Sequence, residues 1–573
     1  MASATRVRSS RARYRFYSNE VQRGQPLPPR QSTARDDSAH HYYSESLHHA
    51  LTTVGRFFKF AAIGGVGLGL AVTAAWEGAH QWVEYHELAP IPQNLPDPFE
   101  WGRELERWTA PLGKGGTDPR LGLKGRHFVR AAWISLNWAH GSDASIIQAT
   151  RSGADSAAFN DNSLVTAVVY LDSALSIALR KPEIARGDGT MDRTVVDLNT
   201  LRASVLARIG SLDALKSASS IYLQVHDALL REGKNSDAAR MAVKLGDISA
   251  RLNETDAAIG WWKAAIELVG RASEPLYSQS DKTGEPKPVI DTSPLMDTLS
   301  SASTYLPQSA YSQRTLMSAL VPLSAHYATS RKLQEALAIE SAMFAITLKL
   351  LPQTPPSSSP SPSRIDESGA LHDSFLFHRD ALLRIHAAEV LYAFRNVPSS
   401  SHASSVPKSP SFFQGLFRKL AYSSASPFEP DSIPACLALL KYAISSTEYV
   451  INSLTQEPIS PPKSDLPLPP PDPFAPLNSD LASSPLLRAP SEVLLRQAKR
   501  TASHAYNLTG LVLEEQGDKE QALEHFERAL EWAGGREGHD ERNAIQSEWK
   551  SVWVNYVRVR EAVLNQGLGE KKE

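Results

Sequence analysis

The side chains that could do chemistry in this chain are few, and their spacing serves it poorly. Gly113-Lys114 offers the glycine and amine of a phosphate-cradling loop, but Gly115 stands where a Ser or Thr is needed, and no strand pattern precedes it. His40-His41 and His48-His49 supply imidazoles for a metal, yet they lie in a polar stretch without neighbouring cysteine, which reads as a solvated tail. His86-Glu87 is not followed by the second histidine that a zinc-protease helix presents. Cys436 is the one cysteine in 573 residues, within Ile433-Pro434-Ala435-Cys436-Leu437. A single thiol can neither close an internal disulfide nor build a cysteine-rich metal site, and its apolar neighbours read as core. No Ser, Cys or His falls in a nucleophile context. The expectation is a binding protein and not an enzyme, with no catalytic, metal or cofactor residues.

A formal net charge of −2 gives no polyanion-binding footprint, so nucleic acid is not an expected partner. The charge is nevertheless polarised at the start. Arg6, Arg8, Arg11, Arg13 and Arg15 precede the first acid, Glu20, with Ser3, Thr5, Ser9 and Ser10 between them. That is the composition of a mitochondrial transit peptide. A basic segment is drawn toward the negative matrix side by about 2.3 kcal/mol per charge per 100 mV. Arg15-Phe16-Tyr17-Ser18 resembles a presequence cleavage site. Residues 1–18 are therefore read as a presequence and 19–55 as a short polar matrix segment.

Residues 56–77 read as a single transmembrane helix. Phe60 to Trp76 carries no charge, and Phe57 and Phe58 extend the run beyond Lys59, whose amine can snorkel to the interface. Ala61, Gly65, Gly69 and Thr73 recur at four-residue intervals, either as a face for close contact with another membrane helix or because glycine is common in spans. Arg56 and Lys59 flank one end and Glu77, Glu84 and Glu87 the other. The positive-inside rule then leaves the N-terminus in the matrix and the remainder in the intermembrane space of an inner-membrane protein.

Beyond Pro90-Ile91-Pro92, which stiffens the exit from the membrane, no stretch alternates at strand period. A repeat of roughly 34 residues, two antiparallel helices per unit, fits instead. Tyr506, Gly510 and Leu513 mark a first helix, Glu515-Gln516-Gly517-Asp518 a turn, and Ala522, Phe526 and Ala529 a second helix. Leu245-Gly246 and Ile248, followed by Ala258, Trp262 and Ala265, repeat that spacing; both glycines lie twelve residues before the first alanine. Leu320, Leu323, Tyr327 and Ala336 fit the register weakly, and Ala167, Leu171 and Ala174 read as a lone second helix.

The expected fold is all-α: a tetratricopeptide-like helical repeat solenoid with Pro/Ser-rich insertions, preceded by one membrane helix. Divergent repeats occupy 78–350, an insertion 351–366, a helix-pair segment 367–395, a linker 396–432 and a helix 433–456. A Pro-rich linker, 457–490, precedes the C-terminal tetratricopeptide unit and capping helix at 491–573. The neighbourhood Ser361–Leu371 reads as loop, and the Pro-rich runs read as segments that form no core. Trp549, Trp553 and Tyr556 are expected to cover the last repeat.

Such repeats offer a concave groove built from first helices. Tyr506, Phe526 and Trp262 should be core. Groove candidates are Arg240, Lys244, Arg496, Lys499, Arg500 and Asn507, whose ordinary reading is a solvated helix face.

Presequence (Arg6–Ser18), span (Phe57–Trp76) and the marks Gly246/Ala258/Trp262 and Gly510/Ala522/Phe526 together resemble the fungal tetratricopeptide-repeat subunit of the mitochondrial inner-membrane i-AAA protease complex. The resemblance implies a substrate adaptor. It would present unfolded or misfolded segments of membrane proteins to an AAA protease subunit for quality control, beside a second membrane adaptor, and meet lipid through its one span. The Pro/Ser insertions have no counterpart in that pattern. Two alternatives share the layout: an outer-membrane import receptor with cytosolic repeats, against which the Arg-rich start counts, and a respiratory-complex assembly factor.

Overall fold

The computed structural model describes residues 37–89, 97–105, 107–110, 115–138, 161–185, 190–273, 306–329, 333–351, 364–395, 433–455, 472, 475–534 and 546–570. The presequence 1–18, Pro90-Ile91-Pro92, Gly113-Lys114 and the side chains of His40, His41 and His48 lie outside the description, as do 352–363, 396–432 and 456–471. Two units are distinguished, Met1–Gly78 and Ala79–Glu573.

The first unit holds most of helix α1 (Asp37–Trp82). The stretch Leu51–Glu87 is long and apolar enough to cross a hydrocarbon core, with mean hydropathy reaching 1.7. Phe57, Phe58, Phe60, Ile63, Val66, Leu68, Leu70 and Val72 are all exposed. Nothing lies within 4 Å of a Cβ placed on Gly65 or Gly69. Thr73 satisfies its own hydroxyl by donating to the Gly69 carbonyl at 2.8 Å, so the Ala61–Thr73 face carries no unmet polar group there.

The second unit is all-α among the described residues, a repeat array of helices packed in consecutive pairs. After the π-helical turn Val83–Glu87 come α2 (Gly122–Asn137) with α3 (Asp161–Leu179), and α4 (Arg193–Ile209) with α5 (Leu212–Arg231). Next are α6 (Asn235–Arg251) with α7 (Thr255–Ser273), α8 (Ala310–Thr329) with α9 (Leu333–Leu350), and α10 (Arg364–Arg395) with α11 (Ile433–Thr455). The pair α12 (Arg488–Gln516) and α13 (Lys519–Trp532) is covered by α14 (Gln546–Glu570). Polar caps set the boundaries. Asp192 accepts from the Thr194 amide to open α4, Ser211 opens α5, and Asp518 opens α13. Gly517, at φ +89°, ends α12 with a left-handed residue that a β-carbon would strain.

The repeat marks pack as the register requires. Ala258, Ala265, Ala522, Phe526 and Ala529 are fully buried and Trp262 nearly so. Ala167, Leu171 and Ala174 are equally buried. Although α3 is apolar and long enough to span a membrane, its inward face is thus part of a core shared with α2 and α4.

Two stretches read as loop or linker behave otherwise. Helix α10 starts at Arg364 and runs unbroken for 32 residues, so 367–395 is one helix whose partner is α11 across the intervening stretch. Leu371, Leu376 and Leu383 are buried in it, and that apolar face outweighs the local Ser and Gly content. Within 457–490, Leu481, Leu486 and Leu487 are buried beside Val450, Ile451 and Trp101, with Ser479–Ser483 forming a helical turn. Proline marks where a helix cannot run; it does not keep neighbouring leucines out of a core.

Candidate functional site

The first helices of four successive pairs, α6, α8, α10 and α12, wall a cavity of about 560 Å³. Their residues reach it at helical spacing: Arg240, Val243, Lys244 and Asp247 from α6, Arg314, Ser318 and Val321 from α8, Phe375 and Arg379 from α10, and Val493, Leu494 and Gln497 from α12. Trp101 and Glu104 supply the remaining wall, and they come from a segment that precedes every one of these helices in the chain.

That segment, residues 97–105, lies in the groove as a peptide would. The Asp97 carboxylate accepts from the amides of Trp101 at 2.9 Å and Gly102 at 2.8 Å, and this fixes the single turn Trp101–Arg103. Trp101 is 2% exposed, and its indole N–H donates to the Ser368 carbonyl on α10 at 3.1 Å. Above it lies the Arg314 guanidinium, 3.8 Å from the ring centroid, an arginine itself only 2% exposed. Arg314 donates to the Phe99 carbonyl at 2.9 Å and pairs with the Glu104 carboxylate. Arg240 donates to the Glu104 carbonyl at 3.2 Å. Arg103 pairs with Asp237 at 3.0 Å and stacks on Tyr311, 4.3 Å from its centroid. A buried arginine is costly unless its charge is met and its donors are used, and the arm supplies both.

The electrostatics follow from this crowding. Burial, reinforced by the Arg314 charge, pushes His372 down to about 4, so its Nδ1 is free to accept from Arg314 at 3.2 Å. Burial lowers His386, which stands 3.4 Å from the Ser324 hydroxyl. Asp247 opens onto the cavity yet is flanked by protein, which raises its carboxyl to about 6; the Trp262 indole donates to it at 3.1 Å. Burial pushes Arg379 down to about 10; its guanidinium sits 4.8 Å from the Phe375 centroid, and its buried Nε has no hydrogen-bond partner among the described residues.

Of the groove candidates named from sequence, Arg240 and Lys244 line the cavity. Arg496 and Arg500 are exposed on α12 but outside the lining, which takes Val493 and Gln497 instead. Successive residues turn by about 100° on a helix, so neighbours of a lining position face elsewhere. Lys499 is partly buried and donates to the Ala475 carbonyl at 3.4 Å. Asn507 is 9% exposed and accepts from Asn555 at 3.0 Å, tying α14 to α12. Tyr506 is partly buried and donates to Glu448 at 2.7 Å. Sequence reasoning did not find Trp101, Glu104, Arg314 or Arg379. The available signal was an arginine placed among apolar positions of α8 and α10, where a charge needs a partner.

No protein-family model matches the chain, and no curated protein matches it. Among solved structures, a "circular tandem repeat protein with novel repeat topology and enhanced subunit contact surfaces" is 13% identical to it. That match covers 78% of this chain and 86% of the other, at a TM-score of 0.19, where the two backbones do not superpose.

Proposed function

We propose that this protein is a non-enzymatic adaptor of the mitochondrial inner membrane, whose groove captures unfolded segments of membrane proteins and presents them to an i-AAA protease. The observation that carries the reading is the groove itself: four first helices walling a cavity beside which the chain's own segment, residues 97–105, is held as a compact turn by side-chain pairing and backbone carbonyls. A groove that meets main-chain carbonyls as well as side chains is suited to further peptide segments. The anchor is assigned to the exposed apolar helix through 56–77, with Ala61, Gly65, Gly69 and Thr73 as the face for the protease or a second membrane adaptor. The address rests on the arginines between Arg6 and Arg15, and the orientation on Arg56 and Lys59.

The test is protease accessibility of a C-terminal tag in isolated mitochondria, before and after rupture of the outer membrane, together with co-purification. Protection lost on rupture, with an AAA protease in the eluate, is the expected result. Digestion in intact mitochondria would place the repeats in the cytosol and transfer the same groove to an import receptor. Protection without the protease would favour an assembly factor.

A further inference from the structure

The cavity walls are unequally charged. Arg240, Lys244, Arg314 and Arg379 face two carboxylates, Glu104 and Asp247, an excess of cations in a chain whose net charge is −2. Two of the cations are engaged by the arm: Arg314 pairs with Glu104, and Arg240 binds the Glu104 carbonyl with its carboxylate 3.9 Å away. Asp247 is engaged by the Trp262 indole. Arg379 differs from the other cations. It rests on Phe375, its Nε is buried without a hydrogen-bond partner among the described residues, and Asp247 and Glu104 act on it only through space. A guanidinium carries five donors in a fixed fork, and one that lines a cavity while its carboxylate neighbours act on it only through space is placed to receive a planar anion. Around it the walls are apolar, with Val243, Val321, Pro322 and Leu494 facing the same space.

We infer that the groove selects extended segments in which an acidic side chain stands between apolar ones, with Arg379 receiving the carboxylate and Lys244 adding its charge. The arm, though folded into a turn, shows how these walls meet an acid next to an apolar ring: the Glu104 carboxylate pairs with a buried arginine, and the Trp101 ring packs on that arginine's face. The incoming segment occupies the cavity left beside the arm and does not need to displace it. Segments with a basic residue at that position are rejected by like charge across a low-dielectric wall. This inference deepens the reading of the groove as a peptide site and rests on it; it needs neither the membrane address nor the protease.

The experiment uses the full chain solubilised in detergent and two short fluorescein-labelled peptides, each with leucine and valine flanking one central residue. In one peptide that residue is glutamate, in the other glutamine. Fluorescence anisotropy should give roughly tenfold tighter binding of the glutamate peptide, as expected for one charged hydrogen bond in a partly desolvated site. Arg379→Gln should bring the two affinities within about twofold while leaving the glutamine peptide unchanged. Lys244→Gln, further out on α6, should narrow the preference in part, and it serves if Arg379→Gln fails to fold. Arg496→Gln, outside the lining, should leave the preference intact. Equal binding of both peptides to the unaltered chain overturns the selection for acid and leaves peptide capture standing. A preference that survives both Arg379→Gln and Lys244→Gln overturns the assignment of these cations. Binding of neither peptide overturns the peptide-site reading itself.

Discussion

The Trp262 indole closes on Gly246 so tightly that a β-carbon at position 246 would stand 2.4 Å from its Nε1. Gly510 meets Phe526 in the same way, at 2.7 Å. Each glycine lets its first helix cross a bulky ring of the second at short range. Alanine would gain about 1 kcal/mol of helix propensity, but overpacking a rigid ring costs about 1–3 kcal/mol. Gly246→Ala and Gly510→Ala should therefore each lower Tm. Thermal melts followed by circular dichroism check this, and a Tm raised in both variants would show that the crossings yield.

The pairing of Trp101 with Arg314 should hold the arm in its groove. Trp101→Ala removes a buried aromatic, at a cost of about 3–5 kcal/mol. Glu104→Gln leaves a buried guanidinium without its counter-charge, at a cost of similar size. Both variants should expose the backbone after Arg103 to trypsin faster than the parent chain, on a time course resolved by mass spectrometry. Unchanged cleavage would show that other contacts hold the arm.

Glu340 on α9 predicts a pH dependence of stability. Its carboxyl is 1% exposed and pairs with the Ser324 hydroxyl. Burial, with a smaller contribution from Glu389, pushes it from 4.5 up to about 8. Burial also lowers His386, beside Ser324. Because the folded-state value is raised, the folded chain holds this proton where the unfolded chain has lost it. The contribution to stability is full below pH 4.5 and is lost as pH rises to about 8. Glu340→Gln should flatten that slope and stabilise the protein at pH 7 by roughly 1–3 kcal/mol. Urea titrations at pH 5 and pH 8 measure it; an unchanged slope would sink the assignment.

Cys436 should be inert in the folded protein. It is 3% exposed, donates to the Ala388 carbonyl at 3.4 Å, and burial pushes its thiol up to about 12. Reaction with a maleimide should be slow in buffer and rapid in denaturant, which makes the thiol a reporter of unfolding. Rapid native-state labelling would show that α10 and α11 open readily.

How far the sequence could be read depended on the range of the interactions. The register Gly246, Ala258, Trp262 lies within one helix pair, so spacing alone exposes it. The arm's contacts reach far along the chain: Trp101 to Ser368 is a separation of 267 residues, and Arg314 to Glu104 one of 210. No local periodicity records a partner that distant. Asn507 failed as a groove residue for a related reason, since its partner Asn555 lies on a capping helix whose docking face is set by packing. Leu481, Leu486 and Leu487 were hidden by the prolines around them, because composition averages over a segment while burial acts on single side chains.

The route of the chain between α1 and the groove has a mechanical consequence. Just past α1, Glu84 is clamped by the Thr117 amide at 2.9 Å and Arg126 at 2.7 Å, and the Leu88 carbonyl accepts from Gly116 at 2.6 Å. The next described segment is the arm itself, locked between α8 and α10. Within the second unit the chain is therefore fastened at two stations, one on α2 and one midway along the first helices. The Glu84 clamp stands ahead of the Trp101–Arg314 contact along the chain, so the entry to the array is secured twice in series.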